Sequence, residues 1–138
     1  MTVISPESDE ATPTRWQART GIVLSVLVGA FLIFDAVGKV ARLKEFEAGA
    51  AALGFPAGQS LIMGIVLTTC LVVYAIPRTA VLGALGITAY LGGAVTANMR
   101  IEAPLWSTTL SAVYVGVLMW VGLALRRPEL LKVVGIGR

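Results

Sequence analysis

Long apolar runs alternate with short charged or proline-containing breaks along most of the chain. The first run follows Arg15 and Arg19; its uncharged stretch, Thr20 to Phe34, continues through Asp35 to Lys39. At 1.5 Å per residue, about 20 such residues cross a hydrocarbon core as a helix. Trp16 between the two arginines is the pattern of an interfacial anchor. Arg42, Lys44, Glu45 and Glu47 end the run. Ala48 to Leu53 then leads into Gly54-Phe55-Pro56, where glycine can close a helix and proline open the next, so a partly helical connection is expected. The second run, Gln59 to Ile76, is turned back by Pro77-Arg78. The third, Thr79 to Met99, carries no charge, and Arg100 to Pro104 separates it from the fourth, Leu105 to Leu125, which Arg126-Arg127-Pro128 stops. The pattern predicts an all-α integral membrane four-transmembrane-helix bundle, with spans over about 18–41, 57–76, 79–99 and 104–125 in a domain covering 15–128. Before it, 1–14 is expected to be a disordered polar tail, since it holds three acids, two prolines and several Ser/Thr. After it comes a short tail, 129–138.

Composition supports the membrane reading. Of 138 residues 57% are hydrophobic and 14% charged, with a mean hydropathy of +0.83, more apolar surface than a soluble domain of this length can bury. Histidine is absent and cysteine occurs once, at Cys70, which excludes bis-histidine haem, the common zinc sites, intramolecular disulfides and C-x-x-C redox pairs from the chain itself. No intrinsic metal or cofactor is therefore expected. Cys70 lies in an apolar run that disfavours a thiolate. The start lacks the basic region of a signal peptide, so the first run is expected to remain as a span. Four spans put both termini on one side. Seven basic residues (Arg15, Arg19, Arg78, Arg126, Arg127, Lys132, Arg138) fall there against four (Lys39, Arg42, Lys44, Arg100) on the other, which predicts cytoplasmic termini. These charges flank apolar runs, where they orient a membrane protein; there is no nucleic-acid signal.

Asp35 and Lys39 stand i,i+4 on one helix face, acid first, the favourable order for a pair. Asp35 is the only carboxylate inside a predicted span, with Lys39 or, across the bundle, Arg100 as its counter-ion. It is a candidate acid or base in a pocket, or half of an ion pair that fixes helix depth. Asn98 and Arg100 close the third span and are candidate ligand-binding groups, asparagine for a carbonyl or quinone oxygen and arginine for a carboxylate; Arg100 and Glu102 also serve as interface caps. Ala89-x-x-x-Gly93-x-x-x-Ala97 and Thr88-x-x-x-Gly92-x-x-x-Thr96 place small residues at a spacing that lets helices approach, which predicts a central third span; close approach of a flat ligand is the alternative. Tyr90, well inside that span, is the best aromatic candidate for a pocket, whereas Tyr74, Tyr114, Trp106 and Trp120 lie nearer span ends, where aromatics anchor. Thr68 and Thr69 are expected to satisfy helix backbone. A faint echo, Asp35 to Lys39 followed by Pro56 and Gly93 to Arg100 followed by Pro104, fits two tandem hairpins of one orientation.

Gly38-Lys39, Leu53-Gly54-Phe55-Pro56, Gly64-Ile65-Val66, Ile76-Pro77-Arg78-Thr79-Ala80-Val81-Leu82-Gly83-Ala84, Tyr90-Leu91-Gly92-Gly93-Ala94-Val95, Arg100 and Leu125-Arg126-x-Pro128 together resemble the DoxX-like family of small four-helix bacterial membrane proteins. The resemblance covers about 20–130, and the stretch from Pro77-Arg78-Thr79 to Gly92-Gly93-Ala94-Val95 is its most specific part. It implies a bacterial cytoplasmic (inner) membrane protein and an association with membrane redox systems, including one linked to thiosulfate:quinone oxidoreduction. Two departures stand out. Where many relatives carry a glutamate after the Gly-x-x of the second span, this chain has Leu67; where they often carry a histidine before the end of the third, it has Asn98. If those residues handle protons in the relatives, that chemistry is lost here or moved to Asp35.

The leading expectation is a protein that binds a lipophilic ligand such as a quinone and supports an oxidoreductase partner, or assembles as a homo-oligomer, with Lys39, Tyr90, Asn98 and Arg100 at the ligand. The alternative is an intramembrane isomerase or cyclase of a hydrophobic substrate, with Asp35 as general acid or base. A proton-coupled transporter is a third, set back by the position of Asp35 away from the bilayer centre.

Overall fold

Thr14 starts the first helix. Its side chain accepts from the Gln17 amide at 3.3 Å while the Gln17 side chain accepts from the Thr14 amide at 3.1 Å, a reciprocal cap that satisfies two of the amides a helix start leaves unpaired. A computed structural model describes residues 12–135. Most of the polar tail expected over 1–14, and the last residues, 136–138, lie outside them. The described residues form helices and no strands. These are α1 (Arg15–Val40), α2 (Lys44–Ala52), α3 (Gln59–Ala75), α4 (Ala80–Arg100), a π-helical turn (Leu105–Thr109) running into α5 (Ser111–Arg126), and the short α6 (Glu129–Val133).

Three segments are long and apolar enough to cross a membrane: Arg15–Val40, Ala80–Arg100 and Leu105–Arg126. α3 is apolar but has only 17 residues, about 25 Å of helix, and so is shorter than the span expected over 57–76. Each long helix buries one narrow stripe and leaves the rest of its apolar surface outside. α1 buries Gly21, Ser25, Val28, Leu32 and Ala36, while Val26 and Phe31 are 62% and 58% exposed. A helix apolar on every face needs lipid around it.

α1, α3, α4 and α5 form a ring of antiparallel neighbours in that order, with α5 closing against α1. α1 and α4 stand on the diagonal, and no Cα atoms of the two lie within 8 Å. Leu67, Ile87, Met119 and Leu123 fill the centre and are fully buried. Glycines set the close crossings. A Cβ on Gly83 would run into the Tyr74 backbone of α3, one on Gly64 would lie 2.8 Å from Lys39 Cβ, and one on Gly21 would lie 2.8 Å from the Gly122 carbonyl oxygen. The expectation that α4 is central through its small residues holds only for its first half. At Gly92 and Gly93 a Cβ would meet nothing within 4 Å.

Both helices that run away from the termini end alike. Arg42 and Glu102, two residues past α1 and α4, adopt left-handed backbone at φ 56° and 54°. The following amides, Leu43 and Ala103, reach back to the Gly38 and Asn98 carbonyls at 3.0 and 3.1 Å, the six-residue closure of a Schellman motif. After the first stop the chain makes α2. After the second, Pro104 leads into the π turn, in which the Thr109 amide bonds the Pro104 carbonyl and Thr109 Oγ1 donates to the Ala103 carbonyl at 3.3 Å.

Candidate functional site

Asp35 and Lys39 occupy the last turns of α1, one helical turn apart. The Lys39 ammonium donates to Asp35 Oδ2 and, at 2.8 Å, to the Tyr90 hydroxyl of α4. Since no Cα atoms of α1 and α4 lie within 8 Å of each other, this side chain bridges the diagonal of the ring. The Asp35 and Lys39 side chains are 26% and 15% exposed, so removing either leaves the other in a poorly solvated place. Gly64 of α3 lets Lys39 Cβ and the Val40 backbone nitrogen lie close, and Gly38 admits the Phe46 ring from α2, which also packs edge-on against Phe34 with centroids 5.8 Å apart. Two glycines and two phenylalanines thus hold the end of α1 in place.

This polar cluster forms one end of a cavity of about 670 Å³, against about 250 to 360 Å³ for three others. Its walls come from the ends of α1 and α4, from α2 and the following link through Phe55, from Met63 of α3, and from Ala103 and Thr108. Along α4 the wall is Ala89, Gly93 and Ala97, the small-residue row noted in the sequence. It borders open space, as a flat ligand would need, instead of packing on a helix. Asn98 also lines the cavity. One of its amide N–H groups donates to the Ala94 carbonyl at 2.9 Å, which fixes the side chain and leaves the second N–H for another acceptor.

Four of the five residues singled out in the sequence, Asp35, Lys39, Tyr90 and Asn98, therefore come together. Arg100 does not join them and does not meet Asp35. Its guanidinium reaches the Leu53 carbonyl at 3.4 Å and lies where a Cβ on Gly54, at φ 82°, would be, so it braces the turn between α2 and α3. It lines an adjoining cleft of about 360 Å³ that shares Leu53, Phe55, Gly93 and Ala97 with the main cavity. Glu45 and Phe46 line the main cavity and were missed, because α2 was read as a connection; Gly38, two residues before the end of α1, was the trace of Phe46. Among the remaining aromatics, Tyr74 is buried rather than an interfacial anchor, Trp106 is 75% exposed, and Trp120 donates to Thr88 Oγ1 at 2.8 Å. Thr68 and Thr69 bond the carbonyls one turn back, as expected. Among the described residues no cluster of acids and cysteines has the makings of a metal site.

The arrangement joins a fixed ammonium, a phenol and an amide to an apolar slot, which suits a ligand with a hydrogen-bond-accepting head and a greasy, flat or slender body. Searches of curated proteins and of solved structures return no significant match. The sequence profile of the DoxX-like family matches residues 23–122, which include every residue of the polar cluster. By length, composition and that match, the protein is a multi-pass membrane protein that belongs to the DoxX-like family.

Proposed function

We propose that this chain is a four-span protein of the bacterial cytoplasmic membrane, with cytoplasmic termini, that holds a lipophilic ligand of the quinone class between α1, α2 and α4 and serves an oxidoreductase partner. The observation that carries this reading is the continuity, within one cavity, of the Lys39–Asp35–Tyr90 cluster with the bare wall of Ala89, Gly93 and Ala97. A quinone ring is flat and apolar on its faces and accepts hydrogen bonds at its edge. The small-residue wall admits such a face. The third N–H of Lys39 and the second N–H of Asn98 are donors suited to its carbonyl oxygens. Asp35 holds the ammonium and balances its charge, a role its engagement with Lys39 favours over that of an unpaired general base. The bound molecule would supply the redox chemistry; the chain supplies the slot, the donors and the exclusion of water.

A decyl-substituted benzoquinone titrated against the protein in mild detergent tests this directly. Saturable binding near one molecule per chain is expected. Gly93→Leu should fold normally, since no atom meets its Cβ, yet lower affinity by about tenfold or more by filling the slot. Lys39→Met should weaken binding by a similar factor through loss of a charged donor. No saturable binding, or equal binding by the wild type and Gly93→Leu, would overturn the reading.

A further inference from the structure

The opposite end of the bundle, toward the termini, holds a second polar cluster. Arg126 closes α5, and its stem lies over α1 where Gly21 has no side chain: a Cβ there would be 2.8 Å from Arg126 Cγ. The guanidinium donates through Nη2 to the Tyr74 hydroxyl at 3.4 Å, with its carbon 5.9 Å from that ring's centroid, and Tyr74 donates on to Ser25 Oγ at 3.4 Å. Ser25 and Tyr74 are each 9% exposed. Arg126 Nε is buried and has no acceptor. Among the described residues the ion pairs are Lys39–Asp35 and Arg42–Glu47, and neither includes Arg126.

A guanidinium that is always charged, partly desolvated and short of acceptors favours an anion. Its neighbours say which kind. Arg126, Tyr74 and Ser25 line a cavity of about 250 Å³ whose remaining wall includes Ile22, Val26 and Ile33, each more than half exposed on the outer surface of α1. A free inorganic ion would gain nothing from that wall. A molecule with an anionic head and hydrocarbon chains would be held at both ends, and the planar fork of arginine matches two oxygens of a phosphodiester. We propose that the Arg126–Tyr74–Ser25 cluster is a binding site for the phosphodiester head of an anionic phospholipid, taken from the leaflet on the side of the termini, with its chains along α1. This site is independent of the Lys39 cavity.

Native mass spectrometry of the full chain released from bilayers of equal phosphatidylglycerol and phosphatidylcholine reads the preference. The wild type is expected to retain one phosphatidylglycerol over phosphatidylcholine by about tenfold or more, the scale of a charge-assisted hydrogen bond. Arg126→Gln should lose the preference and Arg126→Lys should keep part of it, having the charge without the fork. If Arg126→Gln does not fold, Tyr74→Phe, which removes a partner of the guanidinium without removing the charge, should reduce the preference. An undiminished preference in Arg126→Gln, or in Tyr74→Phe where Arg126→Gln does not fold, overturns the proposal. So does competition by millimolar inorganic phosphate to the same extent, which would mark a free-anion site. A preference that emerges only when residues 1–11 are deleted would assign the pocket to the acidic residues of the chain's own start, and would overturn it too.

Discussion

Asp35 matters first as the partner of Lys39. Converting it to asparagine keeps the shape and removes the charge that balances an ammonium only 15% exposed, leaving Tyr90 as its remaining partner. Asp35→Asn is therefore expected to lower stability by about 1–3 kcal/mol, and the double variant Asp35→Asn with Lys39→Met to lie closer to wild type than the sum of the singles. Reversible unfolding in mixed micelles measures both; strict additivity would show that the pair is not a stabilising unit. The i,i+4 spacing made this contact legible in the sequence, since a single helix brings the two residues together. Tyr90 was legible only as an aromatic deep in an apolar run. Its meeting with Lys39 depends on the relative depth of α1 and α4, which their packing against α3 and α5 determines and no local spacing encodes. The turn that Arg100 braces was not legible for the same reason, because it exists only once α2 has folded.

At the level of elements, the twin endings of α1 and α4 give substance to the echo between the two halves of the chain. The repeated proline-opened hairpin was readable. The left-handed residues were not, because they are arginine and glutamate where a glycine would ordinarily advertise that backbone. Such a residue costs about 1 kcal/mol or slightly more relative to glycine. Glu102→Gly should accordingly raise stability by about 1 kcal/mol, with no gain from Glu102→Ala; a neutral or harmful Glu102→Gly would mean that its side chain has a role of its own. Arg42→Gly should gain less, since it also removes the exposed pair with Glu47 at 2.8 Å. Helix α2 shows the limit of reading by hydropathy. It is too short and too mixed to register as a span, yet its Phe46 is what Gly38 makes room for.

For the whole molecule, the ring of four apolar helices was visible in the sequence as the alternation of runs and breaks, and its order follows from short connections between antiparallel neighbours. The sidedness proposed from the basic residues is testable on intact cells. In a Cys70→Ala background, a cysteine at Glu45 should react with a membrane-impermeant maleimide added outside, and one at Lys132 should react only after permeabilisation; the reverse pattern would invert the topology. The short α3 has a consequence of its own. In the proposed four-span arrangement a hydrocarbon core of about 30 Å is longer than this helix, so either the bilayer thins around it or α2, joined to its start, is drawn below the headgroups. Beside it, the α4 wall at Ala89 and Gly93 is exposed, and in the same arrangement it lies at the depth of the acyl chains. In that arrangement the slot communicates with the oily phase more directly than with water. For the ligand proposed above, occupancy would then follow a molecule's mole fraction in the membrane, so that sparingly soluble compounds, already concentrated in lipid, would reach it sideways without passing through the aqueous phase.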